Sequence, residues 1–222
     1  RRRMPPASPH LSQPPLVTLI AGPTASGKSA LALEMARETG AAIINADSQQ
    51  LYADLRVLTA RPSPDEEAQA DHRLYGVADA AEAWSVGRWS RAALAVLDEL
   101  AAEGRPAILV GGTGLYFTSL TKGLADIPDV PSDVREAVEA GYRSLGEAGF
   151  RARLALTDPE AANSIERGDR QRLVRAMSVQ VATGRSLSDW KADTTPLLAP
   201  GAWTGLVVEP DRSTLYGRCD AR

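Results

Sequence analysis

Short, mainly apolar runs alternate with helical patterns over the first half of the chain. Leu16–Ala21 and Ala41–Ala46 resemble strands that are buried on both faces of a parallel sheet. Between them, Lys28–Glu38 has helical spacing and a glycine just past its end. A second helix, predicted to begin after Ser85, leads to a third apolar run at Pro106–Val110. This alternation predicts an α/β fold built on a doubly wound parallel sheet.

The same pattern divides the chain into four segments. Residues 1–15 are rich in proline and lack an apolar period, which predicts a disordered leader. Residues 16–130 contain the predicted sheet, whereas 131–200 lacks apolar strands and is interpreted as a helical insertion. Residues 201–222 return to strand character and stop inside a further helical pattern, so we expect a core truncated at its C-terminal end. Three residues of the insertion are placed to start helices: Ser132, Asp158 and Asp169.

One motif in the core carries phosphate chemistry. A P-loop pattern follows the first predicted strand and opens the first helix, which is the context that this motif requires. Its backbone N–H groups can surround a phosphate, Lys28 can neutralise the charge, and the Ser29 hydroxyl can hold Mg²⁺. We therefore predict catalytic roles for Lys28 and Ser29. The predicted diphosphate- or nucleotide-binding loop consists of Gly22, Pro23, Thr24, Ala25, Ser26, Gly27, Lys28 and Ser29.

The second predicted strand ends in an acidic residue, Asp47. Because the carboxyl ends of parallel strands share one edge of a sheet, we expect Asp47 beside the P-loop, on a neighbouring strand end. There it could accept a proton from a group that attacks near a bound diphosphate. An N-cap is the alternative, in which the carboxylate would bond its own downstream amides instead of pointing into the cleft beside Lys28. The third strand runs into Gly111 and Gly112 instead of a magnesium-binding Asp, which disfavours a hydrolytic NTPase.

Composition limits the possible partners and compartments. The chain has 222 residues, of which 44% are hydrophobic and 24% charged, as in an ordinary globular protein. A single cysteine and the lack of a long apolar run predict a cytoplasmic protein without a membrane partner. The formal net charge of -3 gives no overall attraction for nucleic acid, so RNA contacts must be local. The basic cluster at Arg167–Arg175 could provide such a contact or a solvated face with ion pairs.

Five motifs in order resemble the tRNA dimethylallyltransferase family, also called tRNA isopentenyltransferases. The similarity extends from Leu16 to Arg218. The motifs are Gly22–Ser29, Asp47-Ser48 with Gln50 and Tyr52, Thr59–Pro62, Gly111–Tyr116, and Gln171–Arg175 with Thr183-Gly184. The resemblance implies a P-loop type fold that transfers a dimethylallyl group from dimethylallyl diphosphate to N6 of the adenosine at tRNA position 37, next to the anticodon. It also implies Mg²⁺ as cofactor, a tRNA anticodon stem-loop as partner, and we expect a monomer.

The resemblance further implies roles for individual residues. Asp47 matches a proposed general base, and Thr113 matches a position in the catalytic and tRNA-contacting group. Arg135 matches another tRNA-contacting position. The segment that matches a contact to the target adenosine is Asp47, Ser48, Gln49 and Gln50. A further tRNA-contacting element is matched by Gln171, Arg172, Leu173, Val174 and Arg175.

Two other functions remain compatible with these residues. In a small-molecule P-loop kinase, ATP would fill the loop and Asp47 would activate a substrate hydroxyl. An inactive RNA-binding fragment of the transferase is the other alternative. Arg61 also departs from the family pattern, in which lysine more usually precedes Pro62. Donor choice distinguishes the kinase, since a transferase consumes dimethylallyl diphosphate.

Overall fold

The computed structural model describes residues 17–220, and the predicted leader at 1–15 lies outside them. The chain divides into two compact units. The first contains the sheet, and the second comprises Lys122–Pro196, compared with the predicted insertion at 131–200. The second unit begins earlier because Ile127 and Val130 already pack into its core.

A parallel sheet forms the centre of the first unit. Within residues 17–220 it has five strands in the order β3-β2-β4-β1-β5. The strands are β1 Val17–Ala21, β2 Ala42–Asn45, β3 His72–Arg73, β4 Ala107–Gly111 and β5 Trp203–Val207. The short strand β3 was not predicted, because its two polar residues carry no apolar pattern.

Helices of the first unit cover both faces of the sheet. They are α1 Lys28–Thr39, α2 Arg56–Thr59, α3 Pro64–Glu67, α4 Val86–Ala102, α5 Gly114–Thr121 and α10 Arg212–Asp220, with a 3-10 turn at Ala53–Leu55. Leu19 and Leu109 pack in one cluster with Trp89 of α4. The next residues along the strands, Ile20 and Ile108, belong to a second cluster with α1. Since successive strand residues face opposite sides, the predicted doubly wound α/β fold is confirmed.

The second unit is helical, as its pattern predicted. It contains α6 Ser132–Ala155, α7 Pro159–Ser164, α8 Arg170–Thr183 and α9 Leu187–Ala192. Asp158 and Asp169 accept hydrogen bonds from the amides of Ala161 and Arg172, which confirms their predicted capping roles. Ser132 is instead the first residue of α6, after Pro131. Leu154 and Leu173 are fully buried between these helices.

The strands that precede the P-loop and Asp47 are not neighbours. Strand β4 pairs with β1 on one side and with β2 on the other. The prediction that two neighbouring strand ends carry the site is therefore wrong. All five residues of β4 are buried, and a strand buried on both faces is favoured at the centre of a parallel sheet. No helix within residues 17–220 is long and apolar enough to cross a membrane.

Candidate active site

The P-loop joins β1 to the start of α1. Gly27 adopts φ 95°, in the left-handed region, immediately before α1 begins at Lys28. Ala25 is also left-handed, with φ 62°. The Lys28 Nζ donates to the Pro23 carbonyl oxygen at 3.1 Å, so the ammonium lies over its own loop. The loop amides and the start of a twelve-residue helix form an arrangement suited to an anion.

Close approach of the backbone requires a glycine at the start of this loop. A Cβ atom on Gly22 would lie 2.6 Å from the Val208 carbonyl oxygen and 2.8 Å from the Ser26 Oγ. The first distance involves backbone after β5, which pairs with β1 along its length. Backbone cannot move aside as a flexible side chain can, so a larger residue would displace the loop from its strand.

A second cation reaches the P-loop from the other end of the described chain. The Arg218 Nη1 donates to the carbonyl oxygens of Ala25 and Ser26, each at 3.2 Å. Arg218 lies on α10 and also lines the cleft in front of the loop. The sequence analysis did not assign it a role, because no local motif marks an arginine that is 192 residues away from its partner. Arg218 and Lys28 give the loop two positive charges.

Asp47 faces the same cleft as Lys28. Its Oδ1 accepts a hydrogen bond from the Gln49 amide at 2.9 Å, which is the capping geometry considered for this residue. Its Oδ2 would lie 3.6 Å from a Cβ atom on Gly112. Asp47 and Lys28 both line one cavity of about 720 Å³. The carboxylate therefore makes a local cap bond with one oxygen and still borders the cleft.

This cavity is called the donor cleft. Its walls come from the P-loop and α1, the loop after β2, the segment around α2 and α3, and α10. The lining residues are Thr24, Ala25, Ser26, Gly27, Lys28, Ser29, Ala30, Asp47, Gln50, Thr59, Ala60, Arg61, Ser63, Glu66 and Arg218. The cleft thus has cations on the P-loop side and a carboxylate on the wall after β2. It can hold an anionic group next to a proton acceptor.

Thr113 supports the loop that carries Asp47. The Ser48 amide donates to the Thr113 Oγ1 at 3.0 Å. The Thr113 amide donates in turn to the Ala46 carbonyl oxygen at 3.2 Å. Among the described residues that line the donor cleft, Thr113 does not occur. Its geometry indicates a positioning role, and direct contact with substrate stays a prediction.

The remaining residues of the predicted adenosine segment differ in exposure. Gln49 is exposed, whereas Ser48 and Gln50 are half-buried. The Gln50 Nε2 donates to the carbonyl oxygens of Thr59 and Ala60, at 2.9 and 3.2 Å. Gln50 therefore ties the segment to the third motif of the resemblance.

Arg61, the departure from the family pattern, packs behind the same wall. Its Nη1 donates to the carbonyl oxygens of Tyr52 and Ala53, at 3.4 and 3.3 Å. A Cβ atom on Gly76 would lie 1.8 Å from that nitrogen, so this guanidinium requires glycine opposite. Arg61 is anchored to backbone and also borders the donor cleft.

Two buried phenols lie near Asp47. Burial, followed by the negative charges of Tyr52 and Asp47, raises the pKa of Tyr116 to about 12. Burial, followed by the charges of Asp47 and Glu67, also raises the pKa of Tyr75. Both phenols therefore remain protonated at neutral pH, and Asp47 has no competing phenolate beside it.

In the second unit, α6 and α8 form a basic groove of about 570 Å³. Its walls are Arg135, Glu139, Arg170, Gln171, Val174, Arg175 and Ser178. The structure thus brings the predicted tRNA-contacting residues Arg135, Gln171 and Arg175 together. Arg170 pairs with Glu139 at 2.7 Å, so part of the positive charge is neutralised within the groove.

The other residues of the predicted element on α8 have separate environments. The Arg172 side chain is 73% exposed and pairs with Asp169 at 3.1 Å. Leu173 and Val174 are buried in the core of the second unit. Their side chains pack the unit from inside, so the exposed side chains of this element are those of the polar residues.

The donor cleft fits a magnesium ion only in company with a phosphate ligand. Among residues 17–220, no group of three or more His, Cys, Asp or Glu could hold a metal ion. Ser29 is exposed at the start of α1 and lines the cleft, so its hydroxyl could serve as one ligand. Mg²⁺ commonly keeps few protein ligands and takes the others from water and substrate phosphates.

Comparison of the sequence with known proteins identifies relatives over most of its length. The family profile described as IPP transferase matches residues 50–222. A second profile, described as isopentenyl transferase, matches residues 15–84. A tRNA dimethylallyltransferase from Caulobacter sp. (strain K31) is 63% identical over 206 residues, which cover 93% of this chain and 67% of that relative.

Solved structures share the fold. A eukaryotic dimethylallyltransferase acting on tRNA superposes with a TM-score of 0.77 at 23% identity, over 92% of this chain and 51% of that one. The tRNA isopentenylpyrophosphate transferase of Bacillus halodurans gives a TM-score of 0.59 at 28% identity, over 92% and 63% of the two chains. The chain thus spans between half and about two thirds of the length of these relatives. The predicted tRNA-modifying prenyltransferase is confirmed at the level of the family: the chain belongs to the tRNA dimethylallyltransferases.

Proposed function

We propose that this chain transfers a dimethylallyl group from dimethylallyl diphosphate to N6 of the adenosine at tRNA position 37. The observation that carries the proposal is the donor cleft, in which the P-loop cations and the Asp47 carboxylate border one cavity. A diphosphate on the loop would place its allylic carbon towards the opposite wall. The adenine amine would then attack between the two.

The reaction makes one carbon–nitrogen bond and breaks one carbon–oxygen bond. The N6 lone pair attacks the allylic carbon, and the electron pair of the broken bond leaves with the diphosphate. Lys28, Arg218 and the loop amides would stabilise the negative charge that grows on that leaving group. Mg²⁺, with the Ser29 hydroxyl as a protein ligand, would add positive charge to the same diphosphate when bound.

Asp47 would receive the proton that N6 loses. An adenine amine is a weak nucleophile because its lone pair is delocalised into the ring, so proton removal and positioning both matter. The Asp47 Oδ1 already accepts the Gln49 amide, which leaves Oδ2 as the oxygen for this task. The target base would have to leave its stack, and an anticodon loop makes that step less costly than a duplex does.

The basic groove of the second unit would contact tRNA. Arg135, Gln171 and Arg175 line it, and exposed arginines suit phosphate oxygens. The net charge of -3 supports a local contact of this kind instead of a general basic surface. Action on tRNA also fits a cytoplasmic protein, and we propose a monomer.

Nucleoside mass spectrometry tests the proposed function. An anticodon stem-loop is incubated with the chain, dimethylallyl diphosphate and Mg²⁺, and then digested. We expect the mass of one isopentenyl group on the position 37 adenosine. Consumption of ATP with a hydroxyl acceptor, and no use of the prenyl donor, would instead support the kinase. Stem-loop binding without any transfer would support an inactive RNA-binding fragment.

A further inference from the structure

Asn45 is a buried amide at the end of β2, two residues before Asp47. Its residue is fully inaccessible to solvent. Its Nδ2 donates to the carbonyl oxygen of Asp47 at 2.9 Å and to that of Leu74 at 3.0 Å. Its Oδ1 accepts the Asp47 amide at 2.9 Å. Both polar atoms of the side chain are therefore used, and two of the three bonds go to Asp47.

The main chain of Asn45 is held from the opposite direction. The Trp89 Nε1 donates to the Asn45 carbonyl oxygen at 2.9 Å. Trp89 is fully buried and stacks on Tyr116 with ring centroids 4.0 Å apart. The amide thus joins three parts of the first unit, which are the Asp47 loop, the chain after β3 and the core beneath α4. Such a connection fixes the backbone of Asp47 on both sides of its α-carbon.

An apolar side chain would satisfy the burial of this position without satisfying its hydrogen bonds. The other three residues of β2 are Ala, Ile and Ile, and all are buried. A polar amide in such a site loses its hydration, so it is stable only when its bonds are made. Two of these bonds set the orientation of the one carboxylate proposed to accept the N6 proton. That concentration of bonds distinguishes Asn45 from a residue that merely fills space.

We propose that Asn45 is a positioning residue that aims the Asp47 carboxylate into the donor cleft. This inference rests on the proposed function, in which Asp47 is the base. Asn45 touches neither donor nor acceptor, and acts by fixing the Asp47 backbone so that Oδ1 meets the Gln49 amide and Oδ2 stays turned to the cleft. Proton transfer is sensitive to this placement, since a displacement of about 1 Å can cost about 100-fold in rate.

Three variants separate positioning from packing. Asn45→Ala removes the three side-chain bonds, and Asn45→Asp keeps the shape but sets an oxygen against the Asp47 and Leu74 carbonyl oxygens. Ser119→Ala is the matched control, because Ser119 is equally buried and bonds Ser90 at 2.8 Å. Both Asn45 variants should lower kcat by about 10- to 100-fold with the donor KM unchanged. Ser119→Ala should keep the wild-type kcat.

The isosteric variant decides between the two roles. If Asn45 only filled space, Asn45→Asp would keep kcat while Asn45→Ala lost it, and the inference would be overturned. Equal loss of donor affinity in both variants would also overturn it, because the P-loop lies on another strand. Hydrogen exchange of the Gln49 amide gives a readout independent of transfer, and it should accelerate in Asn45→Ala while P-loop amides stay protected. A wild-type chain that transfers nothing but shows this acceleration would refute the proposed function and leave the clamp intact.

Discussion

The Ser48 amide donates to the Thr113 hydroxyl oxygen at 3.0 Å, across 65 residues of sequence. This bond joins the loop after β2 to the loop after β4, and the Thr113 amide returns a second one to Ala46. Because β4 lies between the strand of the P-loop and the strand of Asp47, Thr113 stands at the centre of the site. The geometry makes it a brace for the catalytic loop.

Thr113→Val should slow transfer without weakening donor binding. Valine keeps the shape but leaves the Ser48 amide without its acceptor, and an unpaired buried group costs about 1–3 kcal/mol. We expect kcat to fall by about 10-fold, measured at saturating donor and stem-loop. Thr118→Val is the control, because Thr118 bonds only locally to the Gly114 carbonyl oxygen at 3.0 Å. A Thr113→Val enzyme with the kcat of the control would exclude the bracing role.

Two adjacent glycines should differ sharply when changed to alanine. A Cβ atom on Gly111 would lie 2.1 Å from the Ala46 carbonyl carbon and oxygen, whereas one on Gly112 would meet nothing closer than the Asp47 Oδ2 at 3.6 Å. Gly111→Ala should therefore destabilise the fold by about 3 kcal/mol. Gly112→Ala should leave the free energy of unfolding nearly unchanged. Urea denaturation of both variants measures the difference, and equal midpoints would contradict the close packing of β4 against β2.

Arg218→Ala should weaken donor binding. Arg218 lies over the P-loop carbonyls of Ala25 and Ser26, close enough to add its charge to a bound diphosphate. Hydrogen bonds to charged groups contribute about 1.5–3 kcal/mol, so we expect the donor Kd to rise by about 10-fold or more in calorimetric titration. Arg212→Ala changes an exposed arginine on the same helix and should bind donor normally. Identical affinities for the two variants would remove Arg218 from the site.

Arg175→Ala should weaken RNA binding and reduce its dependence on salt. Arg175 lines the basic groove, and loss of one phosphate contact lowers the slope of log Kobs against log salt by about 1. Fluorescence anisotropy of a labelled stem-loop at several salt concentrations measures this slope. Arg143→Ala provides the control, since the 64% exposed Arg143 side chain pairs with Glu139 outside the residues that line the groove. An unchanged slope in Arg175→Ala would argue against phosphate contact there.

The sequence predicted the elements of this fold better than their arrangement. Apolar runs located β1, β2, β4 and β5, because buried strands need such runs. The order of the strands depends on which strand is buried most completely, and no local pattern placed β4 between β1 and β2. The same limit applies to the site. The P-loop and Asp47 follow strand ends and were found, whereas Arg218 and Asn45 act through distant partners or a single buried amide that no spacing reveals.

The central claim is that donor binding and proton acceptance reside on opposite walls of one cleft. Asp47→Asn keeps an acceptor for the Gln49 amide but removes the base, so it tests the claim more directly than a truncation to alanine. Transfer and donor affinity are measured on the same preparation, beside Lys28→Ala. We predict that Asp47→Asn loses about 100-fold or more in kcat with donor affinity retained, while Lys28→Ala loses donor affinity. Near wild-type transfer by Asp47→Asn, or equal loss of donor affinity in both variants, would contradict the account.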